Sequence, residues 1–248
     1  MQRLAYETTP WNEITVFETG ALFGKTGRFR CLRFADEAVQ GAIDLRDPGR
    51  IVLEYPRALI HLMERNAPGF ERAFMIGHGI GTIPARYPGN KFTIAEIDEW
   101  VVALSREYFG YPWDNVVVGD GRAVLEAEPP ASLDVVLIDA FTKDGTPRHL
   151  TTAECFRMAG RRLRGPGLVL LNLAGRMRGD RRIASIHASL AEAFRHTAAF
   201  FLPESPGRAY GNVLLAGSSR PIAFTAEAMA GFRPFAPEPG FVLRDRPD

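Results

Sequence analysis

Between residues 73 and 171, five short and continuously apolar runs alternate with stretches of helical spacing, and no other feature limits the fold as much. The runs are Ala73 to Ile76, Phe92 to Ala95, Val116 to Val118, Val135 to Ile138 and Leu168 to Leu171. A strand with one wet face alternates apolar and polar residues. A run that is apolar throughout suits a strand covered on both faces, as in a parallel sheet between layers of helices. Glu99 to Phe109, Thr151 to Leu163 and Asp180 to His196 read as those helices, with Thr151 or Thr152 as the N-cap of the second. Strand, helix, strand repeated in this way predicts a doubly wound α/β sheet. Two more strands, near Ala198 to Leu202 and Val213 to Ala216, would close it as an antiparallel hairpin.

Ahead of this unit, Ile14 to Phe17, Phe29 to Phe34 and Ala38 to Leu45 are β-branched and aromatic runs broken by Gly20, Gly24 and Gly27. They predict a small N-terminal antiparallel β-domain over residues 1–50. Asp47-Pro48-Gly49 marks a turn, and Ile51 to Asn66 carries apolar residues at helical spacing, a linker helix opening the larger domain of residues 51–220. From Pro221 to residue 248 the chain is rich in Pro and Gly and is expected to be a lightly structured tail. With 248 residues, 46% of them hydrophobic, there is material for a full core.

Thirty basic residues against 29 acidic ones leave a net charge of +1, so no global field favours nucleic acid or an anionic membrane. Preference for a ligand must come from a local site. Cys31 and Cys155 are far apart, with neither C-x-x-C spacing nor a Cys/His cluster. That pattern fits a reducing compartment and no structural metal. The N-terminus has no apolar leader core and no stretch approaches the roughly 18 apolar residues of a membrane span, so the expected location is the cytoplasm.

Gly77-His78-Gly79-Ile80-Gly81 directly follows the first strand of the α/β unit, where glycines let backbone approach a ligand. Glu96, at the end of the second strand in Glu96-Ile97-Asp98, can accept both hydroxyls of a ribose. Asp120, in Gly119-Asp120-Gly121 after the third strand, can accept a hydrogen bond from an adenine amino group. All three lie at carboxyl ends of successive strands, the crevice in which open α/β sheets bind ligands. An adenosine-containing ligand follows from their order. A dinucleotide fits less well, because Pro84 replaces the last glycine of G-x-G-x-x-G. The competing reading makes the glycines a tight turn and Asp120 a helix N-cap.

With these motifs, Val39-Gln40, Tyr55 and Leu137-Ile138-Asp139-Ala140-Phe141, the sequence over roughly residues 30–217 resembles the spermidine synthase family of aminopropyltransferases. The resemblance implies the Rossmann-like fold of S-adenosylmethionine-dependent methyltransferases, decarboxylated S-adenosylmethionine (or S-adenosylmethionine) as donor, no metal, a small-molecule amine acceptor and a homodimer. It implies a nucleoside site of Gln40, Gly77, Gly79, Gly81, Glu96 with Ile97, and Asp120 with Gly121. Asp139 would activate the acceptor amine, with Tyr55 and Asp144 on the acceptor side. Departures point to a divergent member. Ile80 stands where the family's glycine loop usually has an aspartate that holds the aminopropyl ammonium. The usual D-S-x-D-P segment becomes Asp139-Ala140-Phe141-Thr142-Lys143-Asp144-Gly145-Thr146-Pro147, and Tyr55 is followed by Pro56-Arg57.

The residues support the corresponding chemistry. An alkylamine with a pKa near 10.4 is almost fully protonated at neutral pH, and a carboxylate such as Asp139 can take that proton. Aminopropyl transfer to an amine in polyamine biosynthesis is the leading expectation. Methyl transfer from S-adenosylmethionine is the alternative suggested by Ile80, and a nucleoside-binding protein without turnover is a third. Lys143, Arg148 and His149 would suit an acceptor bearing a carboxylate or phosphate, or be solvated loop charges.

Overall fold

A computed structural model of the chain describes residues 1–35, 39–142 and 145–246. The first four strands, β1 (Gln2–Thr8), β2 (Glu13–Leu22), β3 (Lys25–Arg33) and β4 (Val39–Asp44), form an antiparallel meander in that order. The sequence reading missed β1. Its exposure pattern is largely open, so its pairing with β2, Thr8 opposite Glu13, rather than an apolar run places it. Helix α1 (Glu54–Asn66) then leads into the second sheet, starting three residues later than the spacing suggests.

That sheet has eight strands: β5 (Ala73–Ile76), β6 (Phe92–Glu96), β7 (Val116–Val118), β8 (Leu133–Ile138), β9 (Leu163–Arg176), β10 (His196–Pro203), β11 (Tyr210–Ser218) and β12 (Arg233–Phe235). Their spatial order is β12-β10-β11-β9-β8-β5-β6-β7. The five strands from β9 to β7 are parallel, and β11, β10 and β12 extend the sheet antiparallel. The α/β expectation is met, as a mixed sheet. Helices α2 (Glu99–Phe109), α3 (Gly121–Ala127), α4 (Ala153–Arg162) and α5 (Arg181–Ala193) complete the fold. Asp98, Asp120, Thr152 and Asp180 cap them, each side chain accepting from a backbone N–H of the first turn.

The apolar runs divide between two cores with the period of two that a strand imposes. Phe74, Ile76, Val136, Ile138, Val169 and Leu171 face α4 and α5. Their neighbours Met75, Val135, Leu137, Leu168 and Leu170 face α1. This explains why the runs do not alternate in polarity. The run Val116 to Val118 behaves differently, because β7 is the edge strand and leaves Val117 and Val118 exposed. A third cluster joins the two sheets: Ile14, Val16 and Leu32 pack on Ile80, Val101 and Leu104.

The segment after Pro221 is docked rather than lightly structured. Met229 and Phe232 are buried, Arg233–Phe235 adds β12, and Leu243 and Asp245 bond to the α4 and α5 region. Proline and glycine there mark turns in a chain that follows the surface. Sequence patterning missed it because the anchors are single residues without a period.

Candidate active site

The chain order reverses between β5 and β8. After β5 it runs outward through β6 and β7, then returns to β8 on the other side of β5. Ligands of open α/β sheets bind at such a switch point, beyond the carboxyl ends of the strands. The residues there are Gly77 after β5 and Asp139 after β8, and the Asp139 amide donates to the Ile76 carbonyl at 2.8 Å. Gly77 has φ of 90°, and a Cβ on it would lie 2.1 Å from the Asp139 carbonyl oxygen. Only glycine lets the two loops meet this closely. A cavity of about 1040 Å3 opens over them, bounded by the glycine loop, the ends of β6 and β8, and Trp11 and Asn12 from the β1–β2 turn.

Glu96 is buried and fixed by backbone: its carboxylate accepts from the His78 amide at 2.8 Å and the Asp98 amide at 3.1 Å. Burial raises its pKa, while those amide bonds oppose the rise. A carboxylate has about four acceptor positions, so Glu96 keeps capacity for hydroxyl groups in the cavity that it lines. Ile97 lines the same wall, as do Gly79 and Gly81. Next to it Asp98 caps α2 and accepts a 2.6 Å bond from the Thr9 hydroxyl, which ties the β1–β2 turn over the cavity. Thr9 in turn accepts from the Trp11 and Asn12 amides. Trp11 and Asn12 were not singled out in the sequence, where they lie far from every motif.

Asp120 lines the cavity with both oxygens engaged. One caps α3 through the Ala123 amide at 2.9 Å, and the other lies 2.9 Å from His149 Nε2. The N-cap reading of Asp120 is therefore realised, beside any role toward a base. Gly121 packs the first turn of α3 against β5, since a Cβ there would approach Ile76 to 2.2 Å.

Asp139 lines the cavity and is half-buried. Asn172 on β9 donates to it at 2.9 Å and itself accepts from Asn212 on β11 at 3.1 Å. The Tyr55 hydroxyl donates to the Gln40 carbonyl oxygen at 3.1 Å and lies beside Asp139. Burial pushes the Asp139 carboxyl up to about 6, against the lowering effect of the Asn172 and Tyr55 hydrogen bonds. Tyr55 stays protonated, its pKa held high by burial and by the neighbouring Asp139 charge. Asn172 is a functional candidate that the sequence did reveal in principle, as the one polar residue in the run Leu168 to Leu173.

His78 is buried in the glycine loop, edge-on to Tyr111, with Nε2 2.8 Å from the Ser105 hydroxyl. Ser105 donates to the Val102 carbonyl, so it accepts from His78, and the imidazole carries its proton on Nε2. Burial pushes its pKa down to about 4, and the ring is neutral. Ile80 is buried against Gly41 of β4, where a Cβ on Gly41 would fall 2.7 Å from two of its carbons. The position that the resemblance assigns to an aspartate thus serves as the joint between the sheets. Asp144 and Lys143 lie outside the described residues. Among those described, no group of three or more His, Cys, Asp or Glu is placed to hold a metal ion, and no helix is long and apolar enough to cross a membrane.

The fold and the carboxylates at its switch point define a Rossmann-like protein of the methyltransferase type. Within that class the chain is similar to spermidine synthases and polyamine aminopropyltransferases. The crystal structure of a probable spermidine synthase from Corynebacterium glutamicum superposes with a TM-score of 0.75 at 27% identity, covering 90% of this chain and 82% of that one. A polyamine aminopropyltransferase of Chromobacterium violaceum is 28% identical over 199 residues, 75% of this chain and 71% of its own length. Putrescine N-methyltransferase 1 of Nicotiana tabacum is 30% identical over 142 residues, 53% of this chain. The chain covers only 37% of that relative's length. No family model matches the chain.

Proposed function

We propose that the chain is a transferase that binds decarboxylated S-adenosylmethionine and moves its aminopropyl group to an amine, with Asp139 as the general base. The observation that carries this is the placement of the Asp139 carboxylate, held by Asn172 at 2.9 Å, at the switch point of a sheet whose second strand ends in Glu96, both lining one cavity. The relatives with spermidine synthase and aminopropyltransferase in their names support it.

The donor supplies an electrophilic carbon on a sulfonium, whose leaving group is a neutral thioether. The residues then have three tasks. Glu96 and the glycine loop hold the ribose, with Gln40, Ile97, Asp120 and Gly121 completing the nucleoside end. Asn172, with Tyr55 beside it, orients the Asp139 carboxylate toward the cavity. Asp139 takes the ammonium proton, and the freed lone pair forms the C–N bond as the C–S bond breaks with its electrons passing to sulfur. A base at about 6 is mostly ionised at pH 7 and can accept a proton in hydrogen-bond reach.

Methyl transfer from S-adenosylmethionine is the second reading, favoured by one observation. Ile80 is apolar and buried at the junction with Gly41, so it offers no charge to an aminopropyl ammonium. Incubation with each donor and a panel of amines, read by product mass, separates the two. A gain of an aminopropyl group supports the first, a gain of a methyl group the second, and no product with any amine sinks both.

A further inference from the structure

Three arginines reach the cavity: Arg148, from the 3-10 turn Arg148–Leu150, and Arg181 and Arg182, from the first turn of α5. Arg182 is structural in part. It donates to the Thr146 carbonyl at 2.6 Å and packs on Gly145, so it holds the loop that follows Asp139. Arg148 gives one donor to the Arg244 carbonyl, a neutral partner. Among the described residues, neither Arg148 nor Arg181 forms an ion pair, and both are exposed at the cavity.

The acids that line the same cavity each have a place in the transfer reading. Among the described residues they are Glu96, Asp120 and Asp139. Glu96 is turned onto the His78 and Asp98 amides, and Asp120 onto the Ala123 amide and His149. Asp139 alone is left for an acceptor, and it serves the reacting nitrogen. A diamine would bring a second ammonium toward Arg148 and Arg181, with no further carboxylate among the described residues of the wall.

We propose that the acceptor of this enzyme is an amine tethered to an anionic group, a carboxylate or a phosphate, which Arg181 and Arg148 bind while Asp139 deprotonates the nitrogen. Guanidinium groups suit both anions, because their planar fork matches two oxygens at once. The inference rests on the transfer reading above and narrows its substrate class. It makes Arg181 and Arg148 the specificity determinants of the acceptor site.

The test uses the full chain with whichever sulfonium donor it binds and three acceptors: putrescine, 4-aminobutyrate and 2-aminoethylphosphonate. Release of the nucleoside thioether and the product mass are followed. At least a tenfold higher kcat/KM for one of the two anionic amines over putrescine is expected, and the better of those two identifies carboxylate or phosphate. Arg181→Glu should invert that preference, chiefly through KM, and Arg148→Gln should weaken it; nucleoside affinity within about threefold of the wild type shows that both variants fold. A preference for putrescine, or no preference, overturns the inference and leaves the transfer reading standing. Failure to bind either sulfonium, or to release thioether with any acceptor, removes the transfer reading and this inference with it.

Discussion

Asn172 faces Asp139 across the β8–β9 pair and donates to its carboxylate at 2.9 Å, with Asn212 on the next strand holding the Asn172 amide in turn. Without that donor, the desolvated carboxylate would be pushed further toward its neutral form. The pair of amides keeps it oriented and near 6, which is the range a base needs at neutral pH. Asn172→Leu should therefore raise the Asp139 pKa. The acidic limb of the acceptor kcat/KM profile would move to higher pH by a measurable margin, and an unmoved limb would assign Asn172 to packing alone.

Asp139→Asn tests the base directly. It should cost turnover about 10²- to 10⁴-fold, the usual contribution of a positioned base, while nucleoside affinity stays within about threefold. The measurement is steady-state rate beside calorimetric binding. Retained turnover would remove Asp139 from the mechanism.

The same carboxylate couples stability to pH. Its ordinary value is 3.8 and its folded value is about 6, so the folded chain holds an extra proton between these limits. Stability is then full below pH 4, falls as pH rises through 6, and is flat above. The total loss is at most about 3 kcal/mol. Asp139→Asn should be more stable than the wild type at pH 8 and lose that advantage toward pH 4, as read by urea unfolding at both values.

Much of this architecture is legible in the residues alone. Four of the five apolar runs specify parallel strands because each must satisfy a core on both sides, Val116 to Val118 being the exposed edge, and Glu99 to Phe109 coincides with α2 because Asp98 and Gly110 punctuate it. The carboxyl ends of those strands then expose Glu96, Asp120 and Asp139 together at one cavity. What escaped was fixed by tertiary contact. β1 is defined by pairing with β2, the C-terminal segment by isolated anchors such as Asp245, and Trp11 by the Thr9 to Asp98 bond, which spans 89 positions. No local period encodes contacts of that kind.

The joint between the sheets is tight enough to be tested by a mutant cycle. Gly41→Ala places a methyl group 2.7 Å from Ile80 and should destabilise the fold by about 1–3 kcal/mol. Ile80→Ala, which removes both γ-carbons, should cost less in the Gly41→Ala background than in the wild type. Additive effects of the two changes, measured by chemical denaturation, would show that they do not meet.

The C-terminal segment is held by a two-pronged pair, Arg122 to Asp245 at 2.8 and 2.6 Å, with Thr152 donating to the same carboxylate. Arg122 and Thr152 hold the Asp245 carboxyl down at about 2. Because its folded value is depressed, the stability it lends is present at neutral pH and lost as pH falls below 4. The pair is partly exposed, so Asp245→Ala should cost about 1 kcal/mol, less at high salt. An equal loss at 0.05 and 1 M salt would make the contribution packing instead of charge.

The measurement closest to the central claim is calorimetric titration of the purified chain with decarboxylated S-adenosylmethionine, S-adenosylmethionine and methylthioadenosine, alongside Glu96→Gln. Binding of a sulfonium nucleoside is expected, with at least a tenfold weaker affinity in the variant, a difference of about 1.4 kcal/mol. Absence of binding by all three, or full affinity retained by Glu96→Gln, would contradict it.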